Sequence, residues 1–188
     1  MIVWRVLPWQ PRAKPSEPGG ALWFPRELQG RGRHDNPELY GCMYVSESPI
    51  SPIAETLAPF RGAGELQDAQ LLRAGRRLAL VQLALDNALP SLIDLDDPKA
   101  LLDARLLPSE VATRERSRTQ LHASELYSRH SEAAGLRWWS TLESQMINLT
   151  IFDRAAKRLS FEDAKVLSTD DVDVRAAAEL LGLAGFRR

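Results

Sequence analysis

Residues 30–57 read GRGRHDNPELYGCMYVSESPISPIAETL, and this stretch predicts a loop, a strand and the start of a helix. Residues 30–36 show no apolar periodicity, which is typical of a loop. Residues 39–46, LYGCMYVS, have the composition of a short strand. Residues 46–60, SESPISPIAETLAPF, predict a helix, because serine caps free N–H groups and proline suits a first turn.

Glu55 lies outside the apolar stripe of this predicted helix. At about 100° per residue, it is roughly opposite the stripe, which consists of Ile50, Ile53, Leu57 and Phe60. Glu55 therefore faces solvent or a cleft. On the preceding strand, Tyr44 shares one face with Cys42 and Ser46, because side chains alternate along a strand.

The composition is that of a globular protein that can bury a hydrophobic core. The chain has 188 residues, of which 44% are hydrophobic and 26% are charged. This length fits one large domain, with two small ones as the alternative. With 24 basic and 25 acidic side chains, the net charge is -1, so no overall field steers the protein toward nucleic acid or anionic membranes.

The chain has too few cysteine and histidine residues for a fold that disulfide bonds or structural zinc hold together. Cys42 is the only cysteine, and the three histidines at 34, 122 and 130 show no zinc-site spacing. The N-terminal apolar run is too short for a secretory signal, and no segment approaches the ~20 apolar residues of a membrane span. We therefore expect a cytoplasmic protein.

The rest of the chain predicts strands and helices without regular βαβ alternation. The predicted strands are IVWRVL (2–7), RRLALVQLAL (76–85), a short one in PSLIDLDDP (90–98) that ends in acidic residues, LRWWS (136–140) and MINLTIFD (146–153). The predicted helices are KALLDARLL (99–107), TQLHASELYSRHSEAAG (119–135) and DDVDVRAAAELLGLAG (170–185). His130 is expected on the apolar stripe of the second of these helices. This order indicates the α+β class.

No strong local motif for catalysis or nucleotide binding occurs. The sequence has no P-loop, GxGxxG, HExxH or GxSxG pattern. Asp94, Asp96 and Asp97 suggest a metal site, since hard cations prefer oxygen ligands. The stronger interpretation is that Asp97, followed by Pro98, caps the next helix.

Polar residues remain at the ends of several predicted elements. They are an arginine before a strand, a tyrosine on that strand, a glutamate on the next helix and a serine that ends a late strand. Ends of adjacent strands gather in space, so these groups can converge. Each also has an ordinary alternative: an arginine paired with Asp35 or a helix end, a solvated glutamate, a core tyrosine and a turn serine.

In order and spacing, the chain resembles the RES domain family, which is named for its arginine, glutamate and serine. The stretch quoted above is similar to the family signature. Residues 3–6 resemble its opening, LIDLDDP its central strand, RTQLHASELYSRHSEAAGLRWWS its helix, glycine and serine-bearing strand, and NLTIFD its closing strand. The resemblance covers residues 4–153.

The resemblance assigns the family's residues to positions of this sequence. The arginine falls on Arg33, with Arg31 as the nearby competitor, the tyrosine on Tyr44, the glutamate on Glu55 and the serine on Ser140. Two features depart from the common pattern. His34 stands where an aromatic residue usually follows the arginine, and WWSTLES replaces the family's serine motif.

The resemblance also implies a fold and domain organisation. We expect a single domain over residues 1–188, with a core over 4–153 and a C-terminal helical extension over 160–188. Its sheet is expected to be mixed, mostly antiparallel and split, with flanking helices, as in ADP-ribosyltransferases.

The implied activity is that of a toxin of a toxin–antitoxin pair. Such proteins deplete NAD+ by hydrolysis or phosphorolysis of the nicotinamide–ribose bond. The alternatives are an ADP-ribosyltransferase that modifies a macromolecule, and a non-catalytic interaction module. The implied partner is a helix-turn-helix antitoxin, through which any contact with DNA is indirect. Homodimer formation is left open.

The reaction suits these residue types and needs no prosthetic group or metal. Positive charge develops on the ribose, so the Glu55 carboxylate would favour the transition state. The planar guanidinium of Arg33 matches a pyrophosphate. Tyr44 would stack on the nicotinamide or ribose and offer a hydroxyl, and Ser140 would hold the carboxamide or a ribose hydroxyl. NAD+ is the substrate, with phosphate as a co-substrate in phosphorolysis.

Overall fold

The computed structural model describes residues 1–88 and 91–183, which form eight strands and five α-helices. The strands are β1 (Ile2–Pro8), β2 (Cys42–Ser46), β3 (Leu72–Arg73), β4 (Arg76–Leu85), β5 (Leu92–Asp94), β6 (Gly135–Trp139), β7 (Ile147–Phe152) and β8 (Leu159–Val166). The helices are α1 (Ile50–Leu57), α2 (Pro98–Ala104), α3 (Pro108–Val111), α4 (Arg116–Arg129) and α5 (Val172–Leu180).

The described residues form two compact units. The first unit comprises Met1–Trp23, Ser46–Ala84 and the described part of Ser160–Arg188. The second unit comprises Phe24–Val45 and the described part of Leu85–Leu159. Each contains both strands and helices.

The first unit is built on β4, which has a strand on either side. β1 pairs with it antiparallel, from Ile2 opposite Ala84 to Pro8 opposite Leu78, while β3 and β8 also pair with β4. Helix α1 packs on α5 and β1. Ile53 and Leu57 of the predicted stripe are 0% and 1% exposed, because this stripe is the side of α1 that enters the core.

The second unit has the strand order β2-β7-β6-β5. β6 and β7 are antiparallel, from Gly135 opposite Ile151 to Trp139 opposite Ile147, and β5 is parallel to β6. Helices α2 to α4 belong to this unit, and its core is a cluster of buried side chains from β2, β6, β7 and these helices.

The predicted α+β class, with a mixed and mostly antiparallel sheet, is confirmed. The cap interpretation of Asp97 is also confirmed, since its side chain accepts hydrogen bonds from the N–H groups of Lys99 and Ala100. Asp94 instead pairs with Arg137, whose Nη1 lies 3.0 Å from its carboxylate oxygens.

Part of the predicted helical extension over 160–188 is wrong, because residues 160–166 belong to strand β8. Most of its side chains are exposed, so they carry no core periodicity, and pairing with β4 defines the strand. Helix α5 confirms a helix in the tail. Residues 184–188, where the predicted helix and the predicted extension end, lie outside the described residues.

The sequence places His130 on the apolar stripe of a helix. This is wrong, because His130 is exposed and follows α4.

Candidate functional site

The second unit holds a group of buried or half-buried polar and aromatic side chains around residues 33–35. We call this group the polar cluster. It consists of Arg33, His34, Asp35, Tyr44, Trp138 and Thr150, with the first three on the loop before β2 and the others on β2, β6 and β7.

Arg33 is buried, with 4% of the residue exposed. Its Nη1 donates hydrogen bonds to the carbonyl oxygens of Val111, at 2.9 Å, and Thr113, at 2.7 Å. The guanidinium carbon lies 5.0 Å from the ring centroid of Trp138, within the range of a cation–π contact. Val111 ends α3, so Arg33 makes the contact with a helix end that its ordinary alternative expects, and its charge is buried rather than solvated.

The imidazole of His34 lies at the centre of the polar cluster. Its Nδ1 is 2.8 Å from Oγ1 of Thr150, which also accepts the Trp138 indole N–H at 3.1 Å. The ring meets Trp138 edge-on at 5.2 Å and stacks on Tyr44 at 6.4 Å between centroids. His34 therefore packs as an aromatic residue would. Burial, together with the charges of Arg33 and Arg116, lowers the pKa of His34 well below its ordinary value.

Asp35 accepts hydrogen bonds on both carboxylate oxygens. Oδ2 accepts the N–H groups of Gly30 and Gly32, at 2.8 and 2.7 Å, and Oδ1 accepts the Tyr44 hydroxyl at 2.7 Å. Although burial acts in the opposite direction, the bonds from Tyr44 and the two glycines hold the pKa of Asp35 below its ordinary value. Asp35 is therefore a carboxylate at neutral pH.

Tyr44 is half-buried, and its hydroxyl has two partners within the loop. It donates to Asp35 and accepts the backbone N–H of His34 at 2.8 Å. Burial and the neighbouring Cys42 and Asp35 raise the pKa of Tyr44 well above its usual value. The hydroxyl therefore keeps its proton, and that proton is directed at Asp35.

Ser140 follows β6 and is 2% exposed. Its N–H donates to the carbonyl of Met146 at 2.8 Å, and its Oγ accepts the N–H of Leu142 at 3.0 Å. The second bond joins a serine hydroxyl to the residue two positions later, which is typical of a serine turn. Ser140 therefore takes part in the turn after β6 that its ordinary alternative expects.

Glu55 and Arg31 lie outside the polar cluster as defined here. Glu55 is on α1 in the first unit and is half-buried, next to the buried Ala54. Arg31 belongs to the second unit and is exposed. Among the predicted site residues, the structure thus brings Arg33 and Tyr44 into the polar cluster. Arg33 contacts Trp138, and the Tyr44 hydroxyl accepts the N–H of His34.

Several residues of the site escape sequence analysis. Asp35 stands within the quoted stretch, but only the structure shows that it holds Tyr44. Thr119 and Gln120 of α4 donate hydrogen bonds to carbonyl groups of the loop, at Arg33 and at Gly30 and Gly32. These partners are more than 80 positions away, so no local pattern indicates them.

The cluster offers binding groups but no activated nucleophile. Cys42 is buried, and burial raises the pKa of its thiol, so it is a thiol at neutral pH. Among residues 1–88 and 91–183, no group of His, Cys, Asp and Glu side chains could hold a metal ion. Over the same residues, no helix has the length and apolar content needed to cross a membrane. The chemistry available is positive charge, aromatic surface and fixed hydrogen bonds.

A solved structure shares this fold. It is the crystal structure of the M. tuberculosis MbcT–MbcA toxin–antitoxin complex, to which the chain is similar with a TM-score of 0.62 and 15% sequence identity. The similarity covers 96% of this chain and 88% of that chain. At this identity, the likeness concerns the fold alone. No curated protein sequence matches the chain.

The family comparison extends the resemblance seen in the sequence. The model of the RES domain matches residues 2–174, and so includes β8 and the start of α5, beyond the residues 4–153 on which the resemblance was based. The matched range includes Arg33, Tyr44, Glu55 and Ser140. A match over nearly the whole chain establishes that this protein belongs to the RES domain family.

Proposed function

We propose that this protein is the toxin of a toxin–antitoxin pair and depletes NAD+ by cleaving the bond between nicotinamide and ribose. The observation that carries the proposal is the match of the RES domain over residues 2–174. The polar cluster supports it, because it contains both the arginine and the tyrosine that the resemblance assigns: Arg33 lies over Trp138, and Tyr44 is hydrogen-bonded to His34 and Asp35.

In the proposed reaction, the bond between C1′ of the ribose and the nicotinamide nitrogen breaks. The electron pair leaves with nicotinamide, which becomes neutral, and the ribose ring takes up the positive charge. Glu55 is the proposed catalytic carboxylate, because a negative charge near the ring stabilises the transition state more than the ground state. Water then attacks C1′ in hydrolysis, or phosphate attacks it in phosphorolysis.

The remaining roles follow from the chemistry of each side chain. Arg33 supplies a fixed positive charge for the pyrophosphate, with Arg31 as the exposed alternative. Tyr44 supplies its ring face to the nicotinamide or ribose, since its hydroxyl proton is already donated to Asp35. Ser140 positions the carboxamide or a ribose hydroxyl. NAD+ is the substrate, and the reaction uses no prosthetic group.

The proposed partner is a cognate antitoxin with a helix-turn-helix part. The similar structure is a toxin–antitoxin complex, which supports an antitoxin as the partner. Contact with DNA would then be made through the antitoxin, and the compartment would be the cytoplasm. Co-expression with the antitoxin should restore growth of cells that the chain alone arrests.

The central test measures NAD+ consumption by the purified protein, with and without phosphate. We expect wild type to release nicotinamide and to produce ADP-ribose by hydrolysis, or its phosphorylated form by phosphorolysis. Glu55→Gln should lose activity by about 10²-fold or more. Glu179→Gln, an exposed glutamate on α5, is the matched control and should retain it. Undiminished NAD+ with the wild type would reject the proposal.

Experiments with NAD+ and with variants of the same residues distinguish two other functions from NAD+ depletion. Labelled NAD+ that leaves its label on a macromolecule would indicate an ADP-ribosyltransferase instead. A non-catalytic module is favoured by the structural bonds of Arg33 and Ser140 to backbone groups. Growth arrest that persists in Arg33→Ala and Glu55→Ala would support that module over both enzymes.

A further inference from the structure

We infer that Asp35 is a positioning residue of the NAD+ site, which holds the ring of Tyr44 and the loop of Arg33 in their working arrangement. The inference rests on the proposed function and assigns Asp35 no contact with the substrate. Asp35 belongs to the second unit and is buried, with 6% of the residue exposed.

The carboxylate divides its two oxygens between two tasks. Oδ2 accepts the N–H groups of Gly30 and Gly32, which closes the loop on itself. Oδ1 accepts the Tyr44 hydroxyl and therefore ties the loop to β2. Three donors face these two oxygens, and the ionised carboxylate, which carries no donor of its own, accepts from all of them.

The Tyr44 hydroxyl completes a ring of bonds with the loop. Its proton is donated to Asp35, and its oxygen accepts the N–H of His34, the residue that follows Arg33. Two bonds at this hydroxyl hold the end of the tyrosine ring at a defined place relative to the backbone of His34, next to Arg33. Tyr44 can therefore act on a substrate through its ring face, and Asp35 sets where that face lies.

Gly32 shows how closely this pair is packed. A Cβ atom on Gly32 would stand closer than 3.0 Å to both Oδ1 of Asp35 and the hydroxyl of Tyr44. Glycine is thus the residue that lets the backbone approach the Asp35–Tyr44 bond. The N–H of that same glycine donates to Asp35, so the close approach serves the bond that closes the loop.

The decisive substitution is Asp35→Asn, which keeps the shape but leaves one acceptor oxygen. The amide cannot accept from Tyr44 and from both glycines at once, since its nitrogen only donates. We expect kcat/KM for NAD+ to fall by about 10²-fold, the cost of a small misplacement in an active site. Asp103→Asn, an exposed aspartate at the surface of α2, should leave kcat/KM unchanged.

A double-substitution cycle separates positioning from general damage. If Asp35 acts through the Tyr44 hydroxyl, Tyr44→Phe and Asp35→Asn lose overlapping contributions, and the double variant is less impaired than the product of the single effects. Effects on kcat/KM that simply multiply, at equal folded fractions, would overturn the inference. An Asp35→Asn variant as active as wild type would also overturn it.

A second measurement is independent of turnover. Hydrogen exchange at the amides of Gly30 and Gly32 should be at least tenfold faster in Asp35→Asn than in wild type and unchanged in Asp103→Asn. Wild-type protein that consumes no NAD+ would reject the proposed function, and the exchange data would then decide the role of Asp35 in the loop. Exchange rates unaltered by Asp35→Asn would overturn the inference in either case.

Discussion

The Nδ1 atom of His34 lies 2.8 Å from the hydroxyl oxygen of Thr150, and this oxygen also accepts the indole N–H of Trp138 at 3.1 Å. One threonine on β7 thus connects the loop before β2 with the tryptophan that covers the Arg33 guanidinium. Thr150 itself is fully buried, with 0% exposed, so water does not replace these bonds.

Replacement of this hydroxyl should therefore destabilise the protein. Thr150→Val preserves the shape of the side chain but leaves the Trp138 N–H and the His34 ring nitrogen without their partner. Two buried polar groups that lose their hydrogen bonds should lower the free energy of unfolding by about 2–4 kcal/mol. Denaturant unfolding measures the change. Thr150→Ser retains the hydroxyl, so it should recover part of this loss; equal losses in both variants would contradict the hydrogen-bond explanation.

A second prediction concerns the dependence of stability on pH. The folded-state pKa of His34 is lowered well below 6.5, chiefly by burial, so below pH 6.5 the unfolded chain binds a proton that the folded protein does not. Stability should therefore fall as the pH decreases from about 6.5, with a slope of up to about 1.4 kcal/mol per pH unit from this residue. Above that pH the residue contributes no slope, because it is neutral in both states.

Urea unfolding between pH 7 and pH 5 tests this assignment. His34→Phe places the family's common aromatic type at this position, and it should remove the slope even if it changes the stability at pH 7. His130→Gln alters an exposed histidine and leaves His34 in place, so it should retain the wild-type slope. An unaltered slope in His34→Phe would show that another group binds the proton.

The predictability of the fold depends on how each element is stabilised. β1, β4, β6 and β7 carry apolar residues in the pattern of buried strands, and the sequence predicts all four. β8 reads LSFEDAKV and exposes most of its side chains, so it is a strand because its backbone pairs with β4 and not because of its apolar residues. Pairing of this kind leaves no periodic signal, which explains the mistaken helical extension.

For the candidate site, the sequence predicts which residues to consider but not what surrounds them. The order of Arg33, Tyr44, Glu55 and Ser140 is readable once the family resemblance is recognised. The burial of Arg33 is not, since its partners Val111 and Thr113 lie 78 and 80 positions later. Contacts at such separations are made by the tertiary fold, and local propensity carries no information about them.

The geometry of Arg33 predicts that lysine cannot replace it. Arg33→Lys keeps the charge but loses the planar group that lies over Trp138 and reaches two carbonyls. We expect the free energy of unfolding to fall by about 1–3 kcal/mol and NAD+ consumption to decrease. Thermal or denaturant unfolding and the NAD+ assay give the two results. Arg31→Lys is the matched control two residues away, and its exposed side chain should change stability by less than about 0.5 kcal/mol.

These two variants also separate the arginines functionally. If Arg31→Lys loses more NAD+ consumption than Arg33→Lys at equal folded fractions, the pyrophosphate role belongs to the exposed arginine. Arg33 would then be a structural residue that binds the end of α3.

The start of β6 gives the last prediction. A Cβ atom on Gly135 would clash with the carbonyl group of Thr150 on the paired strand β7, at a position where backbone, not a flexible side chain, is the neighbour. Gly135→Ala must therefore push the strands apart, and this should lower the free energy of unfolding by about 3 kcal/mol, the upper end for overpacking. The shift would also move Trp138 relative to Thr150, so near-UV circular dichroism should change along with the unfolding midpoint.

Gly41→Ala is the control. Its new Cβ would have its nearest contact at 3.4 Å, from Asp153, and stability should change by less than about 1 kcal/mol. Similar losses in both alanine variants would mean that conformational freedom of glycine, and not the approach of β7, determines the result.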